Sequence, residues 1–183
     1  MKQTYESKVL SRVSDRATDP LIHCHMNINY MTGDATAPQG TGAKIIVHMC
    51  NNKGGWGRGF VLALSRRWPE PERAYRAWHR GAVAIPFELG QVQFVQVEAD
   101  VWVANLIGQH GVRPQGATPP IRYEAIRKGL KEVANQAKAL GASVHMPRIG
   151  SGLAGGKWEE VAPIAQEELI SNGISVTVYD LPS

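Results

Sequence analysis

Two glycine-rich segments constrain most strongly what this 183-residue chain folds into. The first glycine loop, residues 51–59, follows the apolar run 43–50 and carries four glycines. The second glycine loop, residues 150–156, follows the short apolar run 143–146. A helical pattern comes after each loop. Strand, loop and helix in that order are typical of α/β folds, in which ligands bind at the carboxyl ends of the strands.

The hydrophobic periodicity of the rest of the chain extends this α/β pattern. Alternating or continuous apolar runs predict strands, and apolar residues at helical spacing that end at Gly or Pro predict helices. The short spacer Ala99-Asp100 predicts that the strands on either side of it are adjacent in a hairpin-like arrangement. Strands are predicted over 28–30, 43–50, 91–97, 101–107, 143–146 and 174–179, and helices over 60–68, 71–80, 121–140 and 158–171. Alternation of this kind predicts one sheet with helices on both faces.

Length and charge set the broad class. We expect one domain over residues 26–183, preceded by an N-terminal extension over 1–25 without sustained periodicity. There is no apolar run near the roughly 20 residues needed to cross a bilayer, and no signal-type segment, so we expect a cytoplasmic monomer. The net charge of +4 comes from scattered basic residues. An anionic ligand fits this charge, whereas nucleic acid is not indicated.

The cysteines and their neighbours do not predict a redox or metal function. Two cysteines, Cys24 and Cys50, cannot form a disulfide framework. The triplet His23-Cys24-His25 contains metal-ligating residue types, but adjacent residues of an extended chain point to opposite sides. We therefore predict no metal site.

The glycine loops predict a cradle for phosphate. Glycine lets the backbone approach a phosphate closely, and N–H groups at a helix start stabilise an anion. The alternative is that these glycines only make tight turns. Residues 150–155 also match the dinucleotide pattern G-x-G-x-x-G, yet a Rossmann unit places that loop after its first strand. Lys157 is out of register for a P-loop. The two loops are therefore predicted to hold a diphosphate from opposite sides in another fold.

These segments together resemble the macrodomain family. Gly33-Asp34-Ala35-Thr36 resembles its G-D-x-T turn, residues 48–60 resemble its first phosphate loop, residues 146–153 its second, and residues 176–179 its last strand. The chain is similar to the branch of the terminal ADP-ribose protein glycohydrolase and the yeast ADP-ribose 1''-phosphate phosphatase. It is also similar to bacterial members that remove ADP-ribose from acidic side chains. The resemblance covers about residues 27–181 and implies a three-layer α/β/α macrodomain with a mixed central sheet.

The resemblance also implies a ligand and roles for particular residues. ADP-ribose, free or attached to a protein, would be the partner, and no cofactor is implied. Asp34, beside Ala35, would accept a hydrogen bond from the adenine amino group, or serve only as a turn residue. His48 is expected to be a buried, hydrogen-bonded histidine rather than a catalyst. Backbone N–H groups of both loops, with the Ser151 hydroxyl, would hold the diphosphate through Gly55, Trp56, Gly57, Arg58, Gly59, Gly150, Ser151, Gly152, Leu153 and Ala154.

Two departures from the family leave the mechanism open. Gln109 stands where the glycohydrolase has a lysine nucleophile, and Ala154 stands where an aspartate is expected, so both groups of the covalent route are missing. Hydrolysis of an ester between ADP-ribose and a carboxylate could still proceed by a water that the protein orients. The candidates for that role are Asn51, Asn52, Gln109 and His110, although Asn51 and Asn52 could equally cap the loop. Three functions stay open: a hydrolase of ADP-ribosylated acidic side chains, a reader of ADP-ribose without turnover, and an ADP-ribose 1''-phosphate phosphatase.

Overall fold

The structure, a computed structural model, describes residues 26–183. The predicted extension over 1–25 and its triplet His23-Cys24-His25 lie outside the described residues. The strands are β1 Asn29–Thr32, β2 Lys44–Asn51, β3 Val92–Glu98, β4 Val101–Gln109, β5 Ser143–Pro147 and β6 Val176–Asp180. The helices are α1 Phe60–Arg67, α2 Glu70–His79, α3 Tyr123–Leu140 and α4 Trp158–Glu168, with a short 3-10 turn at Ile170–Asn172.

The strands form one six-stranded sheet in the order β1-β6-β5-β2-β4-β3. All neighbouring pairs are parallel except β3 and β4, which run antiparallel on either side of Ala99-Asp100. The predicted mixed sheet and the hairpin-like pair are therefore confirmed. Because β2, β4 and β5 are parallel neighbours, the segments that follow them emerge at the same edge of the sheet.

The helices cover both faces of the sheet, as predicted for three α/β/α layers. β2 lies between the two hydrophobic clusters, and its successive residues Ile45 and Ile46, both fully buried, contribute to opposite ones. On one face α3 and α4 pack through side chains such as Leu130 and Val161. On the other face α1 and α2 pack through side chains such as Leu64. This two-sided burial explains why β2 is apolar along almost its whole length.

Several predicted boundaries were wrong by up to three residues. Helix α3 begins at Tyr123 rather than at 121, because Ile121 forms an isolated antiparallel bridge with Gln109. The helix predicted over 158–171 ends at Glu168, and its last turn tightens into the 3-10 turn. The final strand is shifted to Val176–Asp180. Pairing across the sheet edge, which periodicity does not reveal, moved the first of these boundaries.

Within residues 26–183 none of the helices combines the length and the apolar character needed to cross a membrane. The described part of the chain likewise contains no group of three or more His, Cys, Asp or Glu side chains placed to bind a metal ion.

Candidate functional site

The two glycine loops line a single cavity of about 580 Å³ at the edge where β2, β4 and β5 end. This volume is in the range of small-molecule binding sites. Three segments form its walls: the first glycine loop with the start of α1, the stretch that follows β4, and the end of β5 with the second glycine loop. The lining residues are 48–51, 55–61, 109, 112–114, 147–150 and 152–154.

Backbone N–H groups from both loops are available to a ligand in this cavity. Among residues 26–183, cavity-lining amides of both loops donate no hydrogen bond to a protein acceptor, and they include those of Gly57, Arg58, Gly59, Gly152, Leu153 and Ala154. Five of the six residues named are exposed and Ala154 is buried, so the backbone of both loops is open to an acceptor from outside the chain. N–H groups converging from two sides are suited to the oxygens of an anion.

The first glycine loop is held in place by the side chain of Asn51. Asn51 Oδ1 accepts hydrogen bonds from the N–H groups of Lys53 (2.9 Å) and Gly55 (3.0 Å), and its Nδ2 donates to the carbonyl of Gly55 at 2.7 Å. The buried Tyr75 hydroxyl donates to the Asn51 carbonyl oxygen at 2.5 Å and lies 3.2 Å from Oδ1. The amide of Asn51 is thus engaged within the loop, which is the capping arrangement.

The second glycine loop folds back on itself. The N–H of Gly156 donates to the carbonyl of Gly150 at 2.9 Å, and that of Gly155 donates to Gly152 at 3.0 Å. Gly150 has φ +81°, a backbone conformation that favours glycine. The Ser151 hydroxyl donates to the carbonyl of Arg148 at 2.7 Å, and Ser151 is not among the cavity-lining residues. The loop therefore offers its backbone to the cavity, while this hydroxyl is used within the loop.

The two loops approach each other beside the cavity. A Cβ built on Gly59 would lie 3.5 Å from Cδ1 of Leu153, and Leu153 is 64% exposed. Trp56, three residues before Gly59, is buried instead, and its Nε1 donates to Ser65 Oγ at 2.8 Å. Trp56 thus anchors the first loop to α1, while Leu153 meets it from the other side.

Gln109, Asn52 and His110 lie close together at the end of β4. Gln109 lines the cavity, whereas Asn52 and His110 are half-buried and lie outside its lining. Asn52 Oδ1 accepts a hydrogen bond from the N–H of Gly111 (2.9 Å), which fixes the orientation of the amide. Asn52 Nδ2 therefore faces His110 Nδ1, 3.0 Å away, and donates to it. Neutral His110 consequently carries its proton on Nε2.

Asp34 adopts the turn arrangement considered from the sequence. Its Oδ1 accepts a hydrogen bond from the N–H of Thr36 at 2.8 Å, and its carbonyl accepts one from Ala37 at 2.9 Å. Asp34 is exposed and Ala35 is buried, and neither lines the 580 Å³ cavity. The adenine role of Asp34 stays a prediction.

Two histidines of the sheet are buried and neutral. His48 Nε2 lies 2.6 Å from Asn105 Oδ1, and burial lowers the pKa of His48 to about 4, although the hydrogen bond to Asn105 partly opposes this. His145 lies between Ser143 Oγ and the Tyr179 hydroxyl, and burial together with the nearby charge of Lys44 lowers its pKa to about 4. The expectation that His48 is a buried, hydrogen-bonded histidine is confirmed.

The charged groups that line the cavity are all positive. They are three exposed arginines, Arg58, Arg113 and Arg148, and the lining residues include no Asp, Glu or Lys. Arg148 forms a bidentate pair with Asp180 at 2.6 and 2.7 Å. Burial raises the pKa of the one thiol in the lining, Cys50, so that it stays protonated. The site therefore favours an anionic ligand, and its lining contains no carboxylate, lysine or thiolate that could act as a nucleophile.

Residues 47–165 match the Macro domain family. The chain belongs to this family. Among its curated relatives, the chromodomain-helicase-DNA-binding protein 1-like of Mus musculus is 32% identical over 165 residues, which cover 85% of this macrodomain and 18% of the mouse protein. The chain thus spans less than a fifth of the length of that relative.

Two further relatives carry names of enzymes. The ADP-ribose 1''-phosphate phosphatase of Lodderomyces elongisporus is 26% identical, with 85% of this chain and all of the yeast protein covered. The DNA ADP-ribosyl glycohydrolase of Thermus aquaticus is 29% identical, with 74% of this chain and 37% of that protein covered.

Two solved structures are more similar in sequence to this macrodomain than the curated relatives named above. A protein of unknown function from Bacteroides thetaiotaomicron is 59% identical with a TM-score of 0.83, covering 85% of this chain and 99% of the other. A macrodomain protein from Streptomyces coelicolor is 60% identical with a TM-score of 0.75, covering 84% and 99%. These matches support the three-layer fold independently of the sequence patterns.

The sequence patterns missed one wall of the cavity in this macrodomain. Val112, Arg113 and Pro114 form this wall; Arg148, which lies on the wall of the second glycine loop, was not predicted as a lining residue either. The available signal was the placement of Gln109 at the end of β4. Because β4 neighbours β2, the residues that follow Gln109 had to emerge beside the first glycine loop.

Proposed function

We propose that this macrodomain binds ADP-ribose in the 580 Å³ cavity, with the diphosphate between the two glycine loops. The observation that carries the proposal is the set of backbone N–H groups from both loops that line the cavity without a protein acceptor. A diphosphate presents several oxygens and negative charge to such groups. Arg58, a lining arginine that forms no ion pair among residues 26–183, adds attraction for the same charge, and the lining contains no carboxylate to oppose it.

The names of the relatives support the same ligand. One is an ADP-ribose 1''-phosphate phosphatase and another a DNA ADP-ribosyl glycohydrolase, so ADP-ribose is common to both names. The two names differ in the bond concerned, and neither relative exceeds 30% identity. The reaction of this chain is therefore argued from its own residues.

We propose hydrolysis of the ester between the distal ribose of ADP-ribose and a protein carboxylate. Water oxygen forms a bond to the anomeric carbon, the bond from that carbon to the acyl oxygen breaks, and the carboxylate leaves with the electron pair. The water loses its proton to solvent. A carboxylate is a good leaving group and needs no general acid, which suits a cavity without acidic side chains.

Asn52 and His110 are the residues that we propose to position the reacting groups. Because Asn52 donates to Nδ1 of His110, the neutral imidazole offers Nε2–H as a donor and has no free lone pair. His110 would thus orient water or substrate by donating a hydrogen bond rather than act as a general base. Gln109, which lines the cavity, adds a second amide near the same end of β4.

A reader of ADP-ribose without turnover is the second candidate function. The amide of Asn51 is engaged within its loop, and the lining contains no lysine or carboxylate for covalent or proton-transfer chemistry. The phosphatase reaction is the third candidate, and the name of the Lodderomyces relative supports it.

One set of assays separates the three functions. The protein is incubated with a glutamate-linked ADP-ribosylated peptide, with a serine-linked peptide and with ADP-ribose 1''-phosphate. We expect free ADP-ribose only from the glutamate ester, because the serine ether needs a general acid to leave. Binding without release from any substrate would establish the reader. If Asn52→Ala and His110→Ala both leave turnover unchanged, water attack assisted by these residues is refuted.

A further inference from the structure

The segment between β4 and α3 forms a fixed projection at the mouth of the cavity. At its base, the N–H of His110 donates to the carbonyl of Pro120 at 2.8 Å. Arg122 Nη1 donates to the carbonyl of Pro119 at 2.7 Å. Further out, Gln115 and Thr118 exchange backbone hydrogen bonds of 2.9 and 3.1 Å. These contacts hold the base and the outer turn of the segment, and residues 112–114 lie between the two.

Residues 112–114 pack beside the first glycine loop and are nevertheless exposed. A Cβ built on Gly55 would lie 3.2 Å from Cγ1 of Val112, which is 57% exposed. Arg113 lines the cavity and is exposed, and it forms no ion pair with any residue in 26–183. An aliphatic side chain and a guanidinium without a counter-ion are thus presented together on a fixed loop.

The projection begins beside the Asn52–His110 pair, since the N–H of Gly111 donates to Asn52. In the proposed function this pair is at the reacting ribose, so the protein that carries the ester must leave the cavity past the projection. Resting on that function, we propose that residues 111–118 bind the acceptor polypeptide. Arg113 pairs with an acidic side chain near the modified glutamate, and Val112 contacts its apolar neighbours.

The composition of the projection favours a polypeptide over a nucleic acid strand. Residues 110–120 contain one arginine, no lysine and no Phe, Tyr or Trp. Proteins that bind single strands combine a charged groove with aromatic side chains on which bases stack. A single guanidinium beside aliphatic and proline side chains instead suits a carboxylate within a peptide.

The test compares two peptides that carry the same glutamate-linked ADP-ribose, one flanked by aspartates and the other by asparagines. We expect kcat/KM to be about threefold to fivefold higher for the aspartate peptide at low salt, the effect of an exposed ion pair. Arg113→Gln removes this preference, and because both peptides carry the same ADP-ribose, any effect of Arg113 on ADP-ribose itself cancels in the ratio of the two kcat/KM values. Arg66→Gln is the matched control: it removes the same charge from an exposed arginine outside the cavity lining, and it should retain the preference.

Each way in which the proposal can fail gives a different experimental result. A preference that survives Arg113→Gln, or that disappears equally in Arg66→Gln, overturns the proposal. Inhibition by single-stranded DNA that disappears in Arg113→Gln assigns the projection to nucleic acid instead, and also overturns it. If neither peptide is cleaved, the proposed hydrolysis fails, and the Kd values of the same two peptides then decide the role of Arg113.

Discussion

Replacing Gly152 with glutamate tests whether the cavity binds an anion through its backbone N–H groups. Gly152 lines the cavity, its φ is not positive, and a Cβ there meets no heavy atom within 4 Å. The new side chain therefore adds no clash, and we expect the fold to persist. What changes is the charge beside the site where the diphosphate is proposed to bind.

The size of the effect follows from the position of the new charge. A glutamate side chain at this position brings its carboxylate to about 6 Å from a phosphate held by the same loop, and at an effective dielectric constant of about 20 two unit charges at that distance repel by about 3 kcal/mol. That energy corresponds to about a hundredfold in affinity. Because the loop is exposed and salt screens the repulsion, we expect a loss of at least about tenfold for ADP-ribose.

Isothermal titration calorimetry with ADP-ribose measures this loss, and Gly152→Gln is the matched control of equal size without charge. We expect the Kd of ADP-ribose for the glutamine variant to be within about threefold of the wild-type value, because glutamine adds no negative charge. The loss in the glutamate variant should shrink as salt is raised. Equal losses in the two variants, or no loss in either, would refute binding of the diphosphate by this loop.

Three further predictions concern the supports of the site. Gly156→Ala places a Cβ 2.8 Å from the Gly150 carbonyl oxygen, so urea unfolding should show a loss of about 1–3 kcal/mol, whereas Gly152→Ala should change the stability little. Tyr75→Phe leaves the buried Asn51 carbonyl without its hydroxyl donor. We expect the free energy of unfolding to fall by about 1–3 kcal/mol and ADP-ribose to bind more weakly. If both quantities are unchanged, Tyr75 does not hold the first glycine loop in place. The two buried histidines have folded pKa values of about 4 against 6.5 in the unfolded chain. Below pH 6.5 the unfolded state therefore binds more protons, and the free energy of unfolding should fall as the pH drops from 6.5 towards 4, by up to about 1.4 kcal/mol per pH unit for each histidine. Urea unfolding at a series of pH values measures this slope, which a stability that is flat or rises on acidification would contradict.

The order of helix and sheet layers and the shared site of the two glycine loops could be predicted, because each depends on the pattern of apolar residues and glycines along the chain. The two loops were predicted to act as one site because each follows an apolar strand and precedes a helix. Burial of β2 on both faces gave it a nearly continuous apolar sequence, and this identified the centre of the sheet. Parallel order then brings the carboxyl ends of β2 and β5 to the same edge.

The parts that escaped prediction depend on contacts between distant residues. Ile121 is apolar at helical spacing with the residues of α3, yet its bridge to Gln109 keeps it out of the helix. Tyr75 lies on α2, and no sequence pattern connects its hydroxyl with the carbonyl of Asn51. The role of residues 112–114 in the cavity wall required the strand order, which periodicity does not supply.

The choice between two roles for a residue also needed the structure. From the sequence, Asn51 was equally suited to the distal ribose and to capping. The hydrogen bonds of its amide within the first glycine loop favour capping. The proposed function uses Asn52 and His110 instead, a pair separated by 58 positions whose hydrogen bond leaves the Nε2–H of neutral His110 as a donor.

The central claim is that backbone N–H groups of both loops hold the diphosphate of ADP-ribose, and amide NMR tests it most directly. In a titration of the ¹⁵N-labelled protein with ADP-ribose, we predict the largest shifts at Gly57, Arg58, Gly59, Gly152, Leu153 and Ala154. AMP, which lacks the diphosphate, is the control ligand and should shift these amides less. Shifts confined to one loop, or located away from both, would contradict the claim.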